Sequence, residues 1–68
     1  MNTMDTMDTV AMVMTPTQVS EYLTVPEETL QKWRCQGYGP PHAKIGRAVR
    51  YRRQDVDAWI ASQVRFVA

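Results

Sequence analysis

Short stretches of apolar periodicity separated by hard breaks run through the chain from Thr15 onward. Thr15-Pro16-Thr17-Gln18 reads as a helix start, with Thr15 suited to the N-cap, Pro16 to the first helical position and Gln18 to a capping box. Val19, Tyr22 and Leu23 then recur at i, i+3 and i+4, one apolar face of a helix ending near Leu23 or Thr24. Pro26 restarts the chain. The spacing predicts a second helix from Glu27 through Gln36, with Gly37 placed for a left-handed C-cap. Two short helices joined by about three residues read as a helix-turn-helix.

The texture then changes. Tyr38-Gly39-Pro40-Pro41 breaks the helix and forces an extended path. Residues 42–45 and 49–52 read as two strands, joined at Gly46-Arg47-Ala48 in a tight hairpin. Ile45, Val49 and Tyr51 alternate with Lys44, Arg50 and Arg52, which predicts one buried and one solvated face. A last helix starts at Gln54 or Asp55, with Val56, Trp59, Ile60 and Val64 as its apolar stripe and Asp55 and Asp57 complementing its N-terminal dipole. The expected fold class is mainly α with a small β-hairpin, a winged helix-turn-helix. Its expected core is Val19, Tyr22, Leu23, Val25, Leu30, Trp33, Ile45, Val49, Tyr51, Val56, Trp59 and Ile60.

Ahead of this pattern, Thr-Met-Asp occurs twice, at 3–5 and 6–8, too brief for a structural array. Residues 1–13 read as a flexible tail, 14–64 as the domain and 65–68 as a short C-terminal tail. Val13 and Met14, at the boundary, are apolar enough to pack on the domain or against a neighbouring molecule.

With 68 residues, the chain holds one small domain, and 44% hydrophobic with 22% charged residues is neither a disordered nor a membrane composition. No apolar run is long enough to span a bilayer, and acids without Lys or Arg open the chain, unlike a secretory signal. One Cys and one His supply neither an internal disulfide nor a structural zinc site, so no metal or cofactor is expected and the expected setting is cytoplasmic. No Cys/His or Ser/His/Asp relay and no phosphate-cradling glycine loop stands out, so the expected role is not enzymatic.

The formal charge of +1 conceals a strong asymmetry. Residues 1–30 carry five acids and no base; residues 31–54 carry seven bases and no acid. Such a block points to a polyanionic partner, and the helix-turn-helix pattern makes that partner double-stranded DNA. With Leu30 and Trp33 facing the core, the helical step puts Glu28, Gln31, Lys32 and Cys35 on the opposite face. A major groove admits a helix and shows each base pair a distinct pattern. Gln31 suits adenine, Lys32 guanine or a phosphate, and Glu28 a cytosine amino group, while Thr29 and Arg34 at the flanks suit phosphates. In the wing, Gly46 makes the turn and Arg47 is the minor-groove candidate. Lys44, Arg50 and Arg52 suit phosphates, although Arg52 and Arg53 are also in reach of Asp55, Asp57 or Glu21. Tyr38 is expected to pack or to support the wing, and His42 and Cys35 carry no expected chemistry.

These residues also resemble a family. Residues 15–23, Val25-Pro26 and Thr29-Leu30-Gln31-Lys32-Trp33 look like the opening of excisionase-type, MerR-like DNA-binding domains. Gly39-Pro40-Pro41, Lys44-Ile45-Gly46-Arg47, Val49-Arg50-Tyr51-Arg52 and residues 55–60 are similar to their wing and last helix. Pro26 departs from the Ser or Thr that caps the second helix in many members, and Glu27-Glu28 puts two acids at its DNA end. The resemblance implies a recombination directionality factor in a bacterial host, associated with the nucleoid. Such a protein binds attachment-site DNA, bends it and directs a phage integrase toward excision. The acidic first half and basic wing suit head-to-tail contacts between copies on tandem sites. A transcriptional regulator of the same fold is the alternative, and a protein-interaction adaptor with an acidic partner a more distant one.

Overall fold

Residues 12–65 are described by the computed structural model, so residues 1–11 and 66–68 of the expected tails lie outside it. The elements are β1 (Val13–Met14), α1 (Pro16–Leu23), α2 (Glu27–Gln36), β2 (Ala43–Ile45), β3 (Ala48–Arg52) and α3 (Arg53–Gln63). α1 begins as its sequence dictates. The Thr15 hydroxyl accepts from the Gln18 N–H at 3.1 Å, and Gln18 Oε1 accepts from the Thr15 N–H at 2.8 Å. This reciprocal box satisfies two amides that have no partner inside the helix. The helix ends at Thr24, whose φ of 58° is left-handed, with its N–H bonded to the Ser20 carbonyl. The Ser20 hydroxyl donates to the Val25 carbonyl at 2.5 Å and braces the turn.

Pro26 gives α2 no side-chain cap, and Glu27 and Glu28 occupy the first turn, where carboxylates suit the dipole. Thr17 Oγ1 donates to Glu27 Oε2 at 2.7 Å and ties the starts of α1 and α2 together. Gly37, with φ 70°, closes α2 as the sequence predicts.

The sheet has three antiparallel strands in the order β1-β3-β2, one more than the expected hairpin. Met14 pairs with Tyr51 and Val13 with Arg52, so the stretch assigned to a boundary is an edge strand. Met14 is buried, a core residue absent from the expected set. The wing register also differs from expectation. Ile45 pairs with Ala48, so the turn contains two residues, Gly46 and Arg47, with Gly46 at φ 64°. A glycine at positive φ in the first turn position fits the twist of a tight hairpin. The three-residue loop expected from sequence would have paired Ile45 with Val49. A one-residue change of register moves a side chain to the other face. Ile45 therefore leaves the core side and is 62% exposed, while Lys44, opposite Val49, shares the face of Val49 and Tyr51.

Val19, Leu30, Tyr51 and Val56 are the most deeply buried side chains and form the core with Met14. Leu23, Val25, Trp33, Val49 and Ile60 pack against them half-buried. Tyr22 is 41% exposed, against expectation, because the Arg53 guanidinium carbon lies 4.6 Å above its ring centroid and its hydroxyl donates to Asp57 at 2.6 Å. Its polar end is thus satisfied at the surface, as an amphipathic side chain prefers.

A second cluster joins the end of α2 to α3. Trp33 lies 5.2 Å from Tyr38 and 5.6 Å from Trp59, ring centroid to centroid, and Trp59 is half-buried there. Gly39 makes room for it: its φ is 93°, and a Cβ there would stand 3.0 Å from Trp33 Cε3. α3 starts at Arg53, directly after β3 and a residue or two earlier than expected, with Asp55 in its first turn gripping Arg52. It ends at Gln63, so Val64 falls outside the stripe and is exposed. The result is a helix-turn-helix, a hairpin wing and a closing helix: a winged helix-turn-helix.

Candidate nucleic-acid interface

α2 is held by one face. Leu30 is buried and Trp33 half-buried, and the helical step then leaves Glu28, Gln31, Lys32 and Cys35 exposed together. The four residues expected to face a groove therefore form one free surface. Thr29 and Arg34, expected at its flanks, are half-buried. Arg34 Nη1 donates to the Tyr51 hydroxyl at 2.8 Å, linking the last turn of α2 to the wing strand.

The wing divides its bases between two faces. Arg47 sits at the exposed tip beside Gly46, and Lys44 is exposed on the core-side face where β2 runs out beyond the core. Arg50 and Arg52 lie on the outer face, so the three bases expected on one solvated face are split by the register. Arg50 Nη1 donates to the Val49 carbonyl at 2.7 Å and is half-buried. Arg52 makes a two-pronged contact with Asp55, at 2.7 and 3.0 Å. That hydrogen bond, and then the carboxylate charge, raise the Arg52 pKa above its usual value. Arg53 reaches Asp57 at 3.2 Å and the Tyr22 hydroxyl at 3.1 Å, and the hydrogen bond to Tyr22 leads the causes that raise its pKa.

The basic block is thus of three kinds, of which half-buried Arg34 and Arg50, each donating to an uncharged oxygen, are one. Arg52 and Arg53 are neutralised at the start of α3, as their nearness to Asp55 and Asp57 in sequence allows. Lys32, Lys44 and Arg47 form no ion pair among the described residues. One lies on the exposed face of α2 and two on the wing, the two elements with which a winged helix meets a duplex. The contact of Arg53 with Tyr22 and the packing of His42 on Tyr51, centroids 6.0 Å apart, gave no signal in the linear pattern, whereas Asp57 lies within the reach expected of Arg53. Those two contacts join residues distant in sequence through side-chain geometry. No helix among the described residues is long and apolar enough to cross a membrane.

A family model described as a helix-turn-helix domain matches residues 13–64, from the first residue of β1 to the residue after α3. No curated protein gives a significant match. The matched span takes in the capped α1, the Thr24 turn, the exposed α2 face and the wing. By that match and by this architecture, the chain belongs to the helix-turn-helix domain family, with DNA as its partner.

Proposed function

We propose that this chain is an excisionase-type accessory protein, which occupies specific duplex sites, bends the DNA and directs the integrase of a phage or mobile element toward excision. It acts by binding and shaping DNA and carries out no reaction itself. The observation that supports this reading best is the concentration of free cations on Lys32, Lys44 and Arg47, on both halves of a winged helix-turn-helix. A single small module buries on the order of 600–1,000 Å² on DNA, so useful specificity calls for several copies side by side. Exposed Glu21 on α1 against a basic wing tip suits head-to-tail contact between such copies. Gln31 and Lys32 read bases, whereas Lys44 and Arg50 hold phosphates.

Footprinting on DNA flanking the encoding gene, followed by an excision assay with the neighbouring integrase, tests the reading. Stimulated excision supports it. A footprint at a promoter without any effect on excision replaces it with a transcriptional regulator. Binding to one site and to two adjacent sites should differ in affinity per site, and equal values would remove the self-association. Gln31→Ala should change the preferred sequence by about 1–3 kcal/mol of discrimination. An unchanged preference would mean that another face of α2 meets the bases.

A further inference from the structure

Arg34 is the base of the block that a buried side chain holds at the edge of a cleft. It is half-buried at the last turn of α2, and it forms no ion pair with a described carboxylate. A guanidinium carries five N–H donors in a planar fork, and the hydrogen bond to Tyr51 uses one nitrogen. Tyr51 is itself 1% exposed, so the group that grips Arg34 is anchored in the core and cannot follow it into solvent. Removing a charge from water without an opposite charge is costly, and such a group is best completed by an anion from outside.

The surroundings offer the place. Between the end of α2 and the start of β2 lies a cleft of about 380 Å³, lined by Arg34 together with Tyr38, Pro41 and His42. No carboxylate of the described residues lines it. It sits between the helix expected in the major groove and the wing that meets the neighbouring backbone, where a duplex passing from one to the other presents a phosphodiester.

We propose that this cleft is a phosphate clamp: Arg34, aimed by the Tyr51 hydroxyl, holds one backbone phosphate of duplex DNA between helix and wing. The proposal rests on the DNA-binding reading and adds a specific anion site to it. Tyr51 is a positioning residue, fixing one prong of the guanidinium so that the others meet the phosphate without reorganisation. Because the contact is to backbone, it strengthens binding to all sequences alike.

The test is a salt titration of the full chain on a short labelled duplex, with thermal melting of each variant as a folding control. Arg34→Gln should weaken binding about tenfold on every sequence. It should also reduce the log–log salt slope by about 0.9, the value for one phosphate neutralised. Arg65→Gln, which removes the same charge from the chain end, should do neither. Tyr51→Phe should lower affinity while keeping the slope, since the charge remains but its aim is lost. If Arg34→Gln does not fold, Arg34→Lys carries the test, keeping the slope and losing affinity. Neutralising single linkages of the duplex as methylphosphonates should then reveal one position at which wild type and variant bind equally. If folded Arg34 variants match wild type while Arg47→Ala and Lys32→Ala lower the slope, the clamp is wrong and the DNA-binding reading stands. A wild-type chain that binds no duplex at any salt overturns both.

Discussion

At the β1 end of the sheet, Met14 and Tyr51 face each other at 5% and 1% exposure, and Arg52 and Arg53 are tied to Asp55 and Asp57. At the β2 end, every residue of the strand is exposed, Ile45 is 62% open, and Lys44 and Arg47 form no ion pair among the described residues. One strand, β3, serves both ends. Its C-terminal half is part of the core, and its N-terminal half carries β2 out into solvent. The difference shows that hydrophobic and basic residues in one continuous run can be assigned opposite work by a neighbour. Apolar groups stabilise where α1, α2 and α3 cover the sheet, and cations remain free where no acid is near.

Truncating matching residues at the two ends of the sheet should separate them most strongly. Tyr51→Ala should destabilise the fold by about 3–5 kcal/mol, as loss of a buried aromatic does, whereas Ile45→Ala should stay within about 0.5 kcal/mol in urea unfolding. Met14→Ala and Val13→Ala should divide the same way along β1, the first costing about 2–5 kcal/mol and the second little. Equal costs at either pair would mean that the two ends are equally packed. A smaller effect is expected at the aromatic joint. Gly39→Ala forces a left-handed alanine against Trp33 and should lower stability by about 1–3 kcal/mol by thermal melting.

The bases provide the matching contrast in binding. Arg47→Ala should reduce the salt slope of DNA affinity by about 0.9 without changing the melting temperature. Arg52→Ala should change the slope less, because its charge is already held by Asp55. Equal slopes would show that the ion pair does not withhold Arg52 from phosphate. The smallest expected effect is a gain. Thr24→Gly relieves a left-handed β-branched residue at some cost in chain entropy, and should stabilise by about 0.5–1 kcal/mol in urea.

Much of the scaffold was legible because its signals are local. Thr15 and Gln18 cap α1 through neighbours three residues apart, and Gly37 ends α2 through its own backbone freedom. Leu30 and Trp33 orient α2 by the helical period, which exposes Glu28, Gln31, Lys32 and Cys35 as expected. The wing was less legible, because Gly46-Arg47-Ala48 permits a two- or a three-residue turn and the choice reverses every side chain on β2. Pairing of Val13-Met14 with Arg52 and Tyr51 spans most of the chain, and two residues carry no periodicity of their own.

Local signals in the chain thus settle the order of the three helices and the hairpin, the ends of α1 and α2, the face that α2 offers and the concentration of charge between residues 31 and 54. Those follow from backbone preferences and spacings that act within a few residues. Packing across the chain set the rest: which face each base of the wing takes, and which bases are held by residues distant in sequence. Arg52 and Arg53 have Asp55 and Asp57 three and four residues away, whereas the contact of Arg53 with Tyr22 and the hold of buried Tyr51 on Arg34 depend on angles between α1, α2, β3 and α3. Distances set by packing, and not the count of bases, separate the cations available to DNA from those that hold the domain together.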